Sequence, residues 1–270
     1  MAAAPNVHRG CFQGSVKSKK LGKAYAKEVE AILENIGMRD REVAAFYCES
    51  MVSCGGQYEL PSGYLRSVYR SVRAKGGVCI ADEVQVGFGR IGDSYWAFED
   101  HRVVPDIVTV GKPMGNGHPI AAVVTSPAIA RAFSNGVSYF NTFGGNPVAC
   151  AAGRAVLRVL REENLMSHAL RIGTLLRDNF MSLRKRFPAL IGDVRGRGLF
   201  VGMELLANRT FDSISTRLAL TDMPNDTGSV EFDELVRAVV RGETVLQDEC
   251  GNDLLIPFKL LADWVSLRYV

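Results

Sequence analysis

The run Val78-Cys79-Ile80-Ala81-Asp82, "VCIAD", places four apolar side chains in succession and stops on a carboxylate. A strand with one wet face alternates; one that is apolar at every position is expected in a sheet covered on both faces. Upstream, Leu65, Val68, Tyr69 and Val72 share one face of a helix starting near Ser62. Arg73 and Lys75 fall near its negative pole, and Gly76-Gly77 ends it. Before that helix, residues 43–48, "VAAFYC", read as a buried strand ending at Glu49, and residues 23–36 carry apolar groups at helical spacing. Downstream, 106–110 and 120–125 ("IAAVVT") read as a third and a fourth strand. Apolar strands alternating with helices predict an α/β class with a mixed, mostly parallel sheet.

The second half is built differently. Asn146 is a good N-cap and Pro147 suits the first helical position, so a long helix opens there. Ala152, Ala155, Val156, Val159 and Leu160 give it one apolar side. A further helix is predicted over 165–186 and a glycine-punctuated strand pair over 192–205, "GDVRGRGLFVGMEL". The change near residue 145 predicts a division into residues 1–145 and a smaller α+β part, 146–270. Residues 222–228 read as a loop, 230–241 as a helix, and 253–270 as apolar without pattern.

The 270 residues carry a formal charge of +3, small for this length, and the short basic runs at 17–20 and 184–186 have no aromatic residues among them. Nucleic acid is therefore not an expected partner. Six cysteines form no C-x-x-C pair and several sit in apolar runs, which predicts reduced, buried thiols. Four histidines make no ligand pair at helical spacing, and no metal site is expected. No stretch has the length of a membrane span, and "MAAAPNVHRG" lacks the apolar core of a signal peptide. The expected location is intracellular, in cytoplasm or mitochondrion.

Three polar residues follow apolar runs directly: Glu49, Asp82 and Lys112. In a parallel sheet, groups at carboxyl ends converge on one edge, where ligands bind. A salt-bridged rim would look the same at this level. A phosphate-binding loop of the G-x-x-x-x-G-K-[ST] kind is excluded, because Pro113 follows Lys112 and Asp106 stands where the first glycine belongs. A lysine that bonds covalently to a carbonyl cofactor is the other use. Were that cofactor pyridoxal phosphate, an acid would have to keep its ring nitrogen protonated, and a strand-end aspartate suits that task.

Three segments carry a resemblance: "ADEVQVGFGRIG" (81–92), "PDIVTVGKPMGNGHP" (105–119) and "FNTFGGNPVACA" (140–151). In this order and spacing they resemble the class III aminotransferases, fold type I enzymes that use pyridoxal 5'-phosphate. The match runs over roughly residues 5–205. It implies that Lys112 is the Schiff-base lysine and proton shuttle, and that Asp82 pairs with the pyridine nitrogen. It implies that Val84 packs on the ring, that Gln85 lies near the ring hydroxyl, and that Thr142 reaches a neighbouring subunit's cofactor phosphate in a homodimer. Glu49 resembles a carboxylate on the substrate side, and His118 is expected to pack in its turn.

Residues 45–65 with "GKPMGNGHP" look most like the branch of ethanolamine-phosphate phospho-lyase. The implied reaction is β-elimination of phosphate from a phosphorylated amine such as phosphoethanolamine. Relatives of alanine–glyoxylate aminotransferase share "GGVCIADEVQ" and "NTFGGNP", which implies amino transfer as the alternative. The family's Ser/Gly-rich phosphate turn and ring-stacking aromatic precede the segment matched here, and its late carboxylate-binding arginine is not identified. The chain is thus expected to be an N-terminally truncated member with a partial large domain. A third alternative follows: an inactive homologue that acts only by subunit association.

Overall fold

A computed structural model describes residues 2–136 and 138–206, with two short strands, β9 (Leu246–Gln247) and β10 (Asp253–Leu254), that pair antiparallel. The chain forms two compact units, one of Met1–Gly173 with Arg195–Gly202, the other of Thr174–Val194 with Met203–Val270.

In the first unit, helix α1 (Lys19–Gly37) starts where the Ser18 hydroxyl accepts the Leu21 N–H at 3.3 Å. That bond satisfies one of the donors a helix start leaves free. Helix α2 (Tyr64–Ala74) buries Leu65, Val68, Tyr69 and Val72, the face read from the sequence. Strands β1 (Ala45–Glu49), β4 (Val78–Asp82), β5 (Ile107–Val110) and β6 (Ala122–Thr125) form one sheet in the order β1-β4-β5-β6. The first three run parallel and β6 antiparallel, so the mixed, mostly parallel sheet is present. Two short strands, β2 (Met51–Val52) and β3 (Tyr58–Glu59), pair beyond the end of β1.

Alternation along the strands decides which side chains meet the helices. Cys79, with Phe46 and Cys48 beside it, joins the core of Tyr25, Val29, Leu33, Leu65, Val68 and Val72. The expected cover on both faces is not found among the described residues. Tyr47 is 58% exposed, Val123 66% and Val124 56%. Strands β1 and β6 are the edges of this sheet. A continuous apolar run reports the demand for burial but not whether a neighbour meets it.

Arg73 stands in the last turn of α2, as expected, and its side chain reaches beyond the helix. Its Nε and Nη2 each donate to the Asp106 carboxylate at 3.1 Å, and Nη2 also donates to the Val104 carbonyl at 2.6 Å. The cysteine expectation is also corrected. Among the described residues Cys79 is buried and Cys48 half-buried, while Cys11, Cys54 and Cys150 are exposed, all as free thiols. Cys11 and Cys54 sit in turns and Cys150 on the outer side of a helix, positions where apolar neighbours in sequence do not imply burial.

Helix α3 (Lys112–Gly115) follows β5 after one residue and packs against α5 (Pro147–Glu162). The Asn146 side chain accepts the Ala149 N–H at 3.0 Å, the predicted N-cap. On α5 the buried residues are Ala149 and Gly153; Ala155 is exposed, and Ala152, Val156, Val159 and Leu160 are half-buried. Helix α4 (Pro127–Phe133) buries no residue. Helix α6 (Leu165–Arg186) runs on into the second unit, whose core is Leu183, Phe187 and Ile191. Strands β7 (Ile191–Arg197) and β8 (Phe200–Leu205) form the predicted pair. The loop and helix expected at 222–228 and 230–241, and Cys250, lie outside the described residues. Among those described, no helix is long and apolar enough to cross a membrane.

Candidate active site

Three parallel strands bring residues at their carboxyl ends into one row. Glu49 pairs with Asp82 across β1 and β4, and Asp82 with Thr109 across β4 and β5. Alternation puts Tyr47, Glu49, Ile80, Asp82 and Thr109 on the face opposite the helical core. The sheet therefore presents its polar strand ends on its open side.

Asp82 is held at both carboxylate oxygens. Oδ1 accepts the Val84 N–H at 2.9 Å, and Oδ2 accepts the Tyr47 hydroxyl at 2.6 Å. The Thr109 hydroxyl lies 3.5 Å from the Tyr47 oxygen. A carboxylate offers about four lone-pair sites, so Asp82 retains acceptor capacity on each oxygen.

Lys112 is exposed and begins α3, directly after Gly111. It lines an open groove of about 680 Å³ together with Val84, Gly111, His118, Ile120 and Asn141. Val84 joins the two functional groups: its N–H holds Asp82 while its side chain lines the groove of Lys112. A Cβ at position 111 would stand 3.4 Å from Val84 Cγ1, an ordinary van der Waals contact, so the end of β5 lies beside that side chain. His118 is half-buried in the turn after α3, where its N–H donates to the Gly115 carbonyl at 3.0 Å.

The other expected residues do not line this groove. Glu49 turns toward its own chain, where its carboxylate accepts the Ser53 N–H and, at 3.2 Å, the Ser53 hydroxyl. Gln85 is half-buried just beyond Val84. Thr142 is exposed, and its neighbours Asn141 and Phe143 line the groove in its place.

Three residues were missed in the sequence. Tyr47 and Thr109 flank Asp82; alternation back from Glu49, and the registry of the third strand, could have found them. Glu83 is fully buried, and accepts the N–H groups of Ala97 and Phe98, both at 3.1 Å. These open a short 3₁₀ turn, Ala97–His101. Burial pushes Glu83 up to about 7, against the pull of those two donors, and burial pushes His101 down to about 4. The signal for Glu83 was a second carboxylate directly after a strand-ending one.

The sequence model of the class-III aminotransferases matches residues 4–251. The chain belongs to this family. It is 53% identical to an alanine–glyoxylate aminotransferase 2-like protein of Drosophila melanogaster over 77% of this chain and 42% of that one. It is 44% identical to an ethanolamine-phosphate phospho-lyase homolog of Caenorhabditis elegans, over 82% of this chain and 49% of that one. A phospholyase from Arthrobacter, solved with phosphoethanolamine, superposes with a TM-score of 0.66 at 40% identity, over 74% of this chain and 48% of that one. The class-III aminotransferase chain thus spans under half the length of these relatives. The solved relatives, transaminases among them, share its fold, the fold type I architecture of pyridoxal-phosphate enzymes.

The donor set fits pyridoxal phosphate. A primary amine at the groove, an anchored carboxylate with free lone pairs, and an aliphatic side chain linking the two are the groups that cofactor needs from a protein. A Toxoplasma gondii ornithine aminotransferase with partial occupancy of that cofactor is 32% identical, with a TM-score of 0.59 over 67% of this chain and 41% of that one.

Proposed function

We propose that this chain carries the lysine and aspartate of a pyridoxal-phosphate lyase that removes phosphate from a phosphorylated amine such as phosphoethanolamine. The observation behind this reading is Val84, which ties the Asp82 carboxylate to the groove of Lys112. The cofactor, when bound, supplies an electron sink for the carbon next to the substrate nitrogen. Lys112 holds the cofactor and moves the proton of that carbon at its Nζ. Asp82 keeps the ring nitrogen protonated, because the ion pair favours both charged forms. Val84 packs on the ring. Gln85 and Thr142 are assigned to the ring hydroxyl and, across a homodimer, the phosphate, and Glu49 to the substrate side. Loss of phosphate leaves an enamine, and its hydrolysis by one water gives an aldehyde and ammonia, so the products are inorganic phosphate, an aldehyde and ammonia.

The phospho-lyase relatives from worm and bacterium favour elimination. The fly relative favours a second reading, amino transfer to a keto acid such as glyoxylate. A human relative, 48% identical over 63% of this chain and 33% of that one, is described as mitochondrial, which supports an intracellular site of action.

The chain is mixed with pyridoxal phosphate and followed by absorption. A visible band lost in Lys112→Ala is expected, followed by phosphate release from phosphoethanolamine. Amino transfer to glyoxylate without phosphate release would sink the lyase reading. No Lys112-dependent band would leave only association with other subunits.

A further inference from the structure

We propose that Tyr47 is the positioning residue of the Asp82 carboxylate: its hydroxyl and the Val84 N–H together clamp that group so that its remaining acceptor lobes face the cofactor's ring nitrogen. This rests on Asp82 being the nitrogen's partner. The Tyr47–Asp82 distance, 2.6 Å, falls where a hydroxyl donates to an ionised carboxylate. With the Val84 N–H on the other oxygen at 2.9 Å, the carboxylate is pinned at both ends and cannot turn about its last bond. A group pinned by one donor could turn and offer the nitrogen either oxygen or none. The Tyr47 ring is 58% exposed and absent from the helical core, so packing does not explain a tyrosine there. The Asp82 bond also pushes the Tyr47 phenol upward, the first of several causes.

Two measurements test this on the full chain. Without cofactor, the phenol of Tyr47 is titrated by its ring-carbon NMR signal, identified by its loss in Tyr47→Phe. Its midpoint should lie above 10 and fall in Asp82→Asn; a midpoint indifferent to Asp82 overturns the contact. With pyridoxal phosphate, Tyr47→Phe should weaken cofactor binding roughly five- to tenfold, the worth of one good hydrogen bond. In an Asp82→Asn background the same change should have little further effect, a coupling that a merely structural role would not produce. Far-ultraviolet circular dichroism checks that each variant folds. A Lys112-dependent band whose affinity ignores Tyr47→Phe overturns the positioning role alone. No such band in the unsubstituted chain overturns the cofactor reading and the role with it, while the phenol titration still shows whether the contact exists.

Discussion

Glu83 and His101 sit at opposite ends of one short 3₁₀ turn, and burial drives their proton affinities in opposite directions. Glu83 holds its proton more tightly folded than unfolded. Its contribution favours folding below about 4.5 and is lost as pH rises through about 7. His101 holds its proton less tightly when folded. Its contribution is present above about 6.5 and lost as pH falls through about 4. Each is worth roughly 3 kcal/mol by linkage, so between pH 4.5 and 6.5 they nearly cancel. Glu83→Gln should unmask a stability that rises with pH across that window, read as the urea unfolding free energy at pH 4.5, 5.5 and 6.5. A profile parallel to that of the parent would show that Glu83 does not titrate there. Glu83 follows Asp82 by one residue, so alternation sends it to the other side of the chain. The sequence shows two adjacent carboxylates; only the fold gives one to the open face and the other to the interior.

At the scale of elements, helix α1 carries two informative glycines. Gly22 is buried against the turn before α2, and a Cβ there would collide with the Ser62 carbonyl. Gly37 is exposed at the helix end, and a Cβ there would meet nothing within 4 Å. Gly22→Ala should destabilise by roughly 1–3 kcal/mol, since backbone must move. Gly37→Ala should stabilise by up to about 1 kcal/mol, because alanine loses less freedom in a helix. Thermal melts of the pair check the opposite signs; equal shifts would mean that α1 and the Ser62 turn are not in contact. Helical periodicity placed α1, α2 and α6 to within a few residues, since 3.6-residue spacing and capping are local properties. The burial of α5 was less legible. Its buried residues are Ala149 and Gly153, the latter facing Met114 of α3, while Ala155 on the side read from the sequence is exposed.

At the scale of the molecule, the first unit exposes large apolar side chains between 123 and 148. Val123, Val124, Phe133, Tyr139, Phe140, Phe143 and Val148 are each more than half accessible. Edge strands and exposed apolar groups of this kind drive association. The chain is expected to self-associate with rising concentration in sedimentation velocity, and Phe140→Asp with Phe143→Asp should shift it toward monomer. A concentration-independent monomer would remove this expectation. Both phenylalanines flank Thr142, which the family resemblance assigns to a neighbouring subunit. The second unit has its own small core at Leu183, Phe187 and Ile191, with a partly apolar hollow between Met181, Pro188 and Leu206.

By itself the sequence determined the kinds of group at the strand ends, the longer helices to within a few residues, the N-cap at Asn146 and the family. These rest on local chemistry: what can follow an apolar run, what can cap a helix, what can bond to a carbonyl. The tertiary structure alone decided which groups meet. Tyr47 and Asp82 are 35 residues apart in the chain and reach 2.6 Å because β1 and β4 run parallel in register. Pairing of β4 with β5 likewise brings Asp82 and Val84 beside the strand that leads to Lys112, whereas Glu49 gives its carboxylate to Ser53, only four residues on. Strand pairing fixes neighbours across the sheet, and no pattern along a single strand records its partner.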